Sequence, residues 1–384
     1  MQYILTALLL FLISGDRSYA QNTQKQERFQ INHIVNYHDT TNLSIVTQRL
    51  KDIIYKYYDK EVQPTLFGVK TNQRWWTPNA EAYYLTYETG TNTKEFYTPD
   101  LLALQKLDTN LYRAKVAFTW VDSFKNTYIN SIYNFVLMKD HAQFYFLSIV
   151  DFMTKDWKST TIKDVTFRYK NSHKFDKRAA KRTVTFNDSL ARFFEIPSIK
   201  FDFYVADNCE ELYRIQGFDY NYLMYSNNQF SGQADVVNKM LFSGNNSEWY
   251  PHEQVHLYVY GKFNVDKYSV NRLFDEGMAT WLGGSSGKDL DWHIDKLKTK
   301  LTISKIDLNN FLTEPKVVSD SANLDYTVGG ILVRAAFERY GKEKLWLLIE
   351  NSQTEEQLYQ NICSTFGIKR DKVGDLILKL LEKR

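Results

Sequence analysis

The stretch that decides the reading of this chain is His252-Glu253-Gln254-Val255-His256, followed by Asp275-Glu276-Gly277-Met278-Ala279. On a helix, side chains four apart share a face, so the two imidazoles can reach one metal ion. Glu253 then lies beside that ion without ligating it, where it can take a proton from an activated water. A chance match to this pattern in a chain of this composition is expected on the order of 0.01 times. A hydrolytic zinc site needs a third protein ligand and an open position. Glu276 meets that need. Residues 257–275 are enough for the first helix to finish near Gly261, turn, and return as an antiparallel helix over 270–282, with Ser269 available as its N-cap. Leu273, Met278, Trp281 and Leu282 make that second helix largely apolar. A carboxylate buried there needs a partner, and a cation is one.

These residues resemble the gluzincin zinc peptidases, the peptidase MA-like superfamily of thermolysin and the alanyl-type aminopeptidases. Downstream, Tyr326-Thr327-Val328-Gly329, running to Glu338-Arg339-Tyr340-Gly341, is similar to the Tyr-x-x-Gly helix of those aminopeptidases and their relatives. The resemblance covers roughly residues 195–350. It implies His252, His256 and Glu276 as ligands of Zn2+, Glu253 as general base, and Tyr326 as the hydroxyl that stabilises a tetrahedral oxyanion. The implied reaction is hydrolysis of a peptide or protein substrate by a zinc-activated water. The aminopeptidases also carry a Gly-x-Met-Glu-Asn segment whose Glu binds the substrate's free amine. The nearest counterpart here, Gly232-Gln-Ala-Asp-Val-Val-Asn238, lacks that Glu. Two alternatives stay open: a catalytically inactive binding or assembly module of the same fold, and a zinc hydrolase acting on a non-peptide amide.

Around this centre the fold class reads as α+β. Val46, Leu50, Ile53 and Tyr57 recur at helical spacing within 42–58. Segments 116–121, 133–138, 144–150 and 165–169 are rich in β-branched and aromatic residues and read as strands, with a hairpin turn at Lys139-Asp140-His141. Strand 199–206 places Ile199, Phe201, Phe203 and Val205 on one face, and Asn208 opens a helix closed by Gly217. Helices dominate from Ser247 onward, and Thr354 with Gln357 forms a capping-box pair. The expected organisation is a helix-plus-antiparallel-sheet domain of unassigned role over 21–185, then a gluzincin-like, mostly helical domain with a small sheet over 195–384. The boundary is expected around 175–197. The basic run from Arg168 to Arg182 reads as a solvated interdomain segment, since no nucleic-acid fold signature accompanies it.

Composition narrows the remaining classes. The chain has 384 residues, 43% hydrophobic and 24% charged, with a net charge of +3, which suits two globular domains and excludes a dedicated nucleic-acid binder. The apolar run Ile4–Ile13 is too short to span a bilayer. With Ser18-Tyr19-Ala20 after it, residues 1–20 read as a secretory signal, although Met1-Gln2-Tyr3 carries no Lys or Arg. The other reading is a buried N-terminal helix. The expectation is an exported protein, periplasmic, cell-surface or secreted, with no membrane span in the mature chain and an oligomeric state left open. In that setting Cys209 and Cys363 can pair or stay as thiols. Of seven histidines, His33, His38, His141, His173 and His293 read as solvated. Trp75-Trp76 reads as core before it reads as a ligand platform.

Overall fold

The computed structural model describes residues 28–32, 41–56, 97–225, 231–263, 270–319 and 321–382. The signal-like run, His33, His38, Trp75-Trp76 and Ser269 lie outside the described residues. The chain is a mixed helix-and-sheet fold. No described helix is long and apolar enough to cross a membrane.

The first sheet holds β1 (Gln30–Ile31), β2 (Thr98–Lys106), β3 (Leu111–Val121), β4 (Thr127–Asp140) and β5 (Gln143–Leu147) in that order. All but β1 pair antiparallel, and β4 is long enough that β9 (Phe218–Asn221) also pairs with its first half. Helix α1 (Leu43–Lys56) lays Val46, Leu50, Ile53 and Ile54 on the same apolar cluster as Phe135, Phe144 and Phe146 of this sheet. The expected hairpin turn is real, with His141 at φ 54. The expected strand 144–150 stops early. Ser148 caps α2 (Ile149–Met153) by accepting from the Asp151 amide at 3.3 Å, so a local hydroxyl overrides the β-forming residues that follow it.

The second sheet runs β10 (Gly232–Asp235), β11 (Met240–Ser243), β8 (Phe201–Val205), β7 (Val165–Tyr169), β6 (Lys158–Ile162). β8 is parallel to both neighbours, and the two edge strands run antiparallel. It is buried on both faces. Phe201, Phe203 and Val205 meet Ala180 and Val184 of α3 (Lys177–Phe194) and Leu257 of α5 (Pro251–Phe263). On the other face Tyr204 stacks on Phe242, centroids 5.0 Å apart, and both join the first sheet's cluster together with α4 (Cys209–Ile215). Burying each such aromatic contributes roughly 1.5–3 kcal/mol.

The boundary expected at 175–197 is occupied by α3. The strands on either side of it, β7 and β8, are hydrogen-bonded neighbours. A linker is therefore not what these residues form. Nor is the basic run simply solvated: Arg168 pairs with Asp202 at 3.1 Å, and Lys170 bridges Asp207 and Glu211. His173 is buried against Glu248, Nε2 to Oε1 at 2.8 Å. These partners are 34 to 75 residues away in the chain, beyond the reach of a local reading.

The remaining helices form a third layer: α6 (Arg272–Gly283), α7 (Leu290–Ile303), α8 (Leu324–Ile349), α9 (Glu355–Phe366) and α10 (Val373–Glu382), packed on α5 and α3 through one large apolar cluster. The Thr354–Gln357 capping box starts α9. The first helical stretch of α8 ends at Gly341, as the sequence suggests: with φ 79 and ψ −176 that residue is non-helical, and a second stretch runs on from it to Ile349. Cys209 and Cys363 are free thiols, one in the sheet cluster and the other against the helical one.

Candidate metal centre

Pro251 opens α5, a position where its missing amide N–H costs nothing because the first helical N–H groups have no partner within the helix. One side of α5 is fastened to α3. Gln254 donates to the Thr183 carbonyl at 3.1 Å, and the Tyr258 hydroxyl meets the Asn187 side chain at 2.7 Å. His252 and His256 project from the opposite side, toward α6.

Helix α6 runs antiparallel to α5, as the spacing predicts. Its N-cap is Asn271, whose side chain accepts from the Leu273 amide at 2.9 Å, in place of the expected Ser269. Two glycines set how close α6 can come. A Cβ on Gly277 would stand 2.4 Å from the Gly329 carbonyl carbon, and one on Gly283 would stand 2.7 Å from the His252 amide nitrogen. Backbone therefore packs on backbone at both crossings. The first seats α6 against α8, and the second seats the end of α6 against the start of α5.

The result is a compact donor set. One donor atom each from His252, His256 and Glu276 lie within 4.8 Å of one another. His252 Nε2 is 3.2 Å and His256 Nε2 3.7 Å from Glu276 Oε2. The far side of each ring is held: His252 Nδ1 donates to the Gly284 carbonyl at 2.6 Å, and His256 Nδ1 donates to the Asp275 carboxylate at 2.8 Å. With Nδ1 committed, both Nε2 atoms face the shared point. That is the ligand orientation a metal site requires. Two imidazole nitrogens and one carboxylate oxygen make a donor set that could hold a metal ion.

Electrostatics follow from burial and charge. Burial by itself opposes ionisation of Glu276, but the His252 hydrogen bond and the His256, His252 and Arg272 charges outweigh it and hold the carboxyl at about 2. Burial likewise opposes protonation of His256, yet Asp275, Glu276 and Glu253 together push it up to about 10. Glu253 is buried, and that burial raises its carboxyl above the ordinary range despite the two histidines. Tyr326, at the start of α8, lies face to face with His252, centroids 5.9 Å apart and planes 21° apart. Burial and the Glu276 charge keep its hydroxyl protonated, against the lowering effect of Arg272.

All five expected site residues thus converge. Sequence reasoning did not anticipate Asp275 or Arg272. Asp275 sits beside Glu276 in the quoted motif, and its helical offset of about 100° still leaves it facing α5, under His256. His293 departs from its expected solvated state: it is buried, with Nε2 donating to the Ser285 carbonyl at 3.1 Å, and burial lowers its pKa. On edge strand β10, Asp235 is buried and accepts from the Asn238 amide at 2.9 Å and its side-chain amide at 2.7 Å. Comparison with protein-family models, curated proteins and solved structures returned no match.

Proposed function

We propose that the protein is an exported zinc-dependent peptide hydrolase of the gluzincin type, with His252, His256 and Glu276 holding Zn2+ and Glu253 as general base. The observation that carries this reading is the convergence of the three donor atoms from two helices, with the other nitrogen of each ring engaged by Gly284 or Asp275. The catalytic unit then begins at about residue 158, because β6 and β7 belong to the sheet that supports α5. Residues before that, joined by β9 pairing with β4, form the helix-and-sheet part.

Zinc in this position supplies a Lewis acid beside Glu253. Glu253 takes a proton from the attacking water and returns it to the leaving amine. A carboxyl raised by burial suits both directions of that transfer. Tyr326 stays protonated and donates a hydrogen bond where negative charge develops on the scissile carbonyl oxygen. Asp275 and the Gly284 carbonyl keep the imidazoles in one orientation throughout.

The test is a zinc-loaded peptide-library digest read by mass spectrometry, comparing wild type with Glu253→Gln. Cleavage by wild type alone supports the reading. Failure of the purified protein to bind zinc removes the site assignment. Zinc binding with both forms inert moves the conclusion to a non-catalytic binding module.

A further inference from the structure

Arg272 opens α6 one turn before Glu276, so the two side chains share a helix face. Its Nε lies 3.6 Å from Glu276 Oε1, and its guanidinium also bears on the Tyr326 hydroxyl. Exposure separates it from every other member of the site: 81% of the Arg272 side chain is open to solvent, against 9% for Glu276 and 11% for each histidine. The guanidinium is therefore the solvent-facing member of this cluster, within 3.6 Å of Glu276. The start of α6 beside it is held in place, because the Asn271 side chain caps the helix and the Asn271 amide donates to Ser352 Oγ at 2.9 Å. A solvent-facing arginine with a planar fork of donors is suited to take a carboxylate bidentately.

We propose that Arg272 is a specificity-determining residue that binds a substrate carboxylate beside the scissile bond, supplied by an acidic side chain or by the peptide's own C-terminus. This inference rests on the metallopeptidase reading for its substrate class, but a binding measurement tests it apart from catalysis. An ion pair at so exposed an arginine favours the carboxylate over its neutral amide by about two- to fivefold.

The experiment uses zinc-loaded Glu253→Gln protein and fluorescein-labelled peptide pools of neutral random sequence. One pair of pools differs by Glu or Gln at a single fixed position, and the other by a free or amidated C-terminus. Fluorescence anisotropy at about 0.15 M salt is expected to show about two- to fivefold tighter binding of the carboxylate member in one pair, which identifies the source. Adding Arg272→Met is expected to bring that ratio close to one in samples matched for zinc content, and Arg272→Lys to restore part of it. Equal binding of acid and amide in both pairs overturns the proposal. So does a ratio that survives Arg272→Met, or no measurable binding of any pool. Failure of the wild type to cleave peptides, with the acid preference intact, counts against the catalytic reading and leaves the carboxylate site standing.

Discussion

Gly277 on α6 and Gly329 on α8 meet backbone to backbone: a Cβ on Gly329 would lie 2.1 Å from the Leu273 carbonyl oxygen. The residue before Gly277 is the third donor, Glu276, and the residue three before Gly329 is Tyr326. One close helix crossing thus brings both groups to the histidines of α5.

Gly329→Ala or Gly277→Ala is expected to destabilise the fold by about 1–3 kcal/mol or more, since backbone must shift to admit the methyl. Zinc affinity should fall with it. Gly330→Ala is the control: its Cβ would meet the movable end of the Leu290 side chain at 2.6 Å, so a smaller loss is expected. Guanidinium denaturation midpoints with parallel zinc titrations check this. Equal losses for all three variants count against the crossing as the determinant.

Removing zinc is expected to lower the melting temperature, and added zinc to raise it progressively with free-ion concentration. His252→Ala or Glu276→Ala should abolish the zinc-dependent increment. Differential scanning calorimetry with and without a chelator reads the effect directly.

The zinc-free protein should lose stability at both pH extremes. His256 is raised from 6.5 to about 10, so its contribution is complete below about 6.5 and disappears as pH rises toward 10. Glu276 is lowered from 4.5 to about 2, so its contribution is complete above about 4.5 and disappears as pH falls toward 2. Denaturation midpoints across pH should therefore peak between about 4.5 and 6.5. Asp275→Asn should flatten the alkaline limb, and an unchanged limb would falsify the assignment to the His256–Asp275 pair.

On the proposed site, a zinc ion would have to displace the proton that His256 carries on Nε2 when Asp275 holds Nδ1. Zinc affinity is accordingly expected to climb with pH through the neutral range, with proton release on binding. Calorimetric titrations in buffers of different ionisation enthalpy count the protons, and a pH-independent affinity is the contrary result.

Glu253→Gln is expected to reduce peptide hydrolysis by about 10²–10⁴-fold while retaining zinc. Tyr326→Phe should reduce kcat by about 10²–10³-fold with little effect on zinc content, as loss of one oxyanion donor does. Steady-state kinetics on a cleaved peptide distinguish the two from simple metal loss.

Much of the site was legible because its information is short-range. His252 and His256 share a helix turn, and their spacing alone aligns them. Glu276 stood out as a carboxylate on an apolar helix. The Thr354–Gln357 box and the Asn208 cap were equally readable, since a cap is a contact over three residues. The domain boundary was not readable in this way: strand pairing between β7 and β8 spans the whole of α3, and no local pattern encodes which strands become neighbours.

The histidines divide along the same line. By itself the sequence determined that His252 and His256 share one helix face, because helical periodicity is a property of adjacent turns. Only the tertiary structure decided that His293 is buried, that His173 is hydrogen-bonded to Glu248, that Asp275 meets His256, and that Arg272 stands exposed beside Glu276. Each of those depends on which surfaces pack together, and packing is set by close approaches such as Gly277 on Gly329 between residues far apart in the chain.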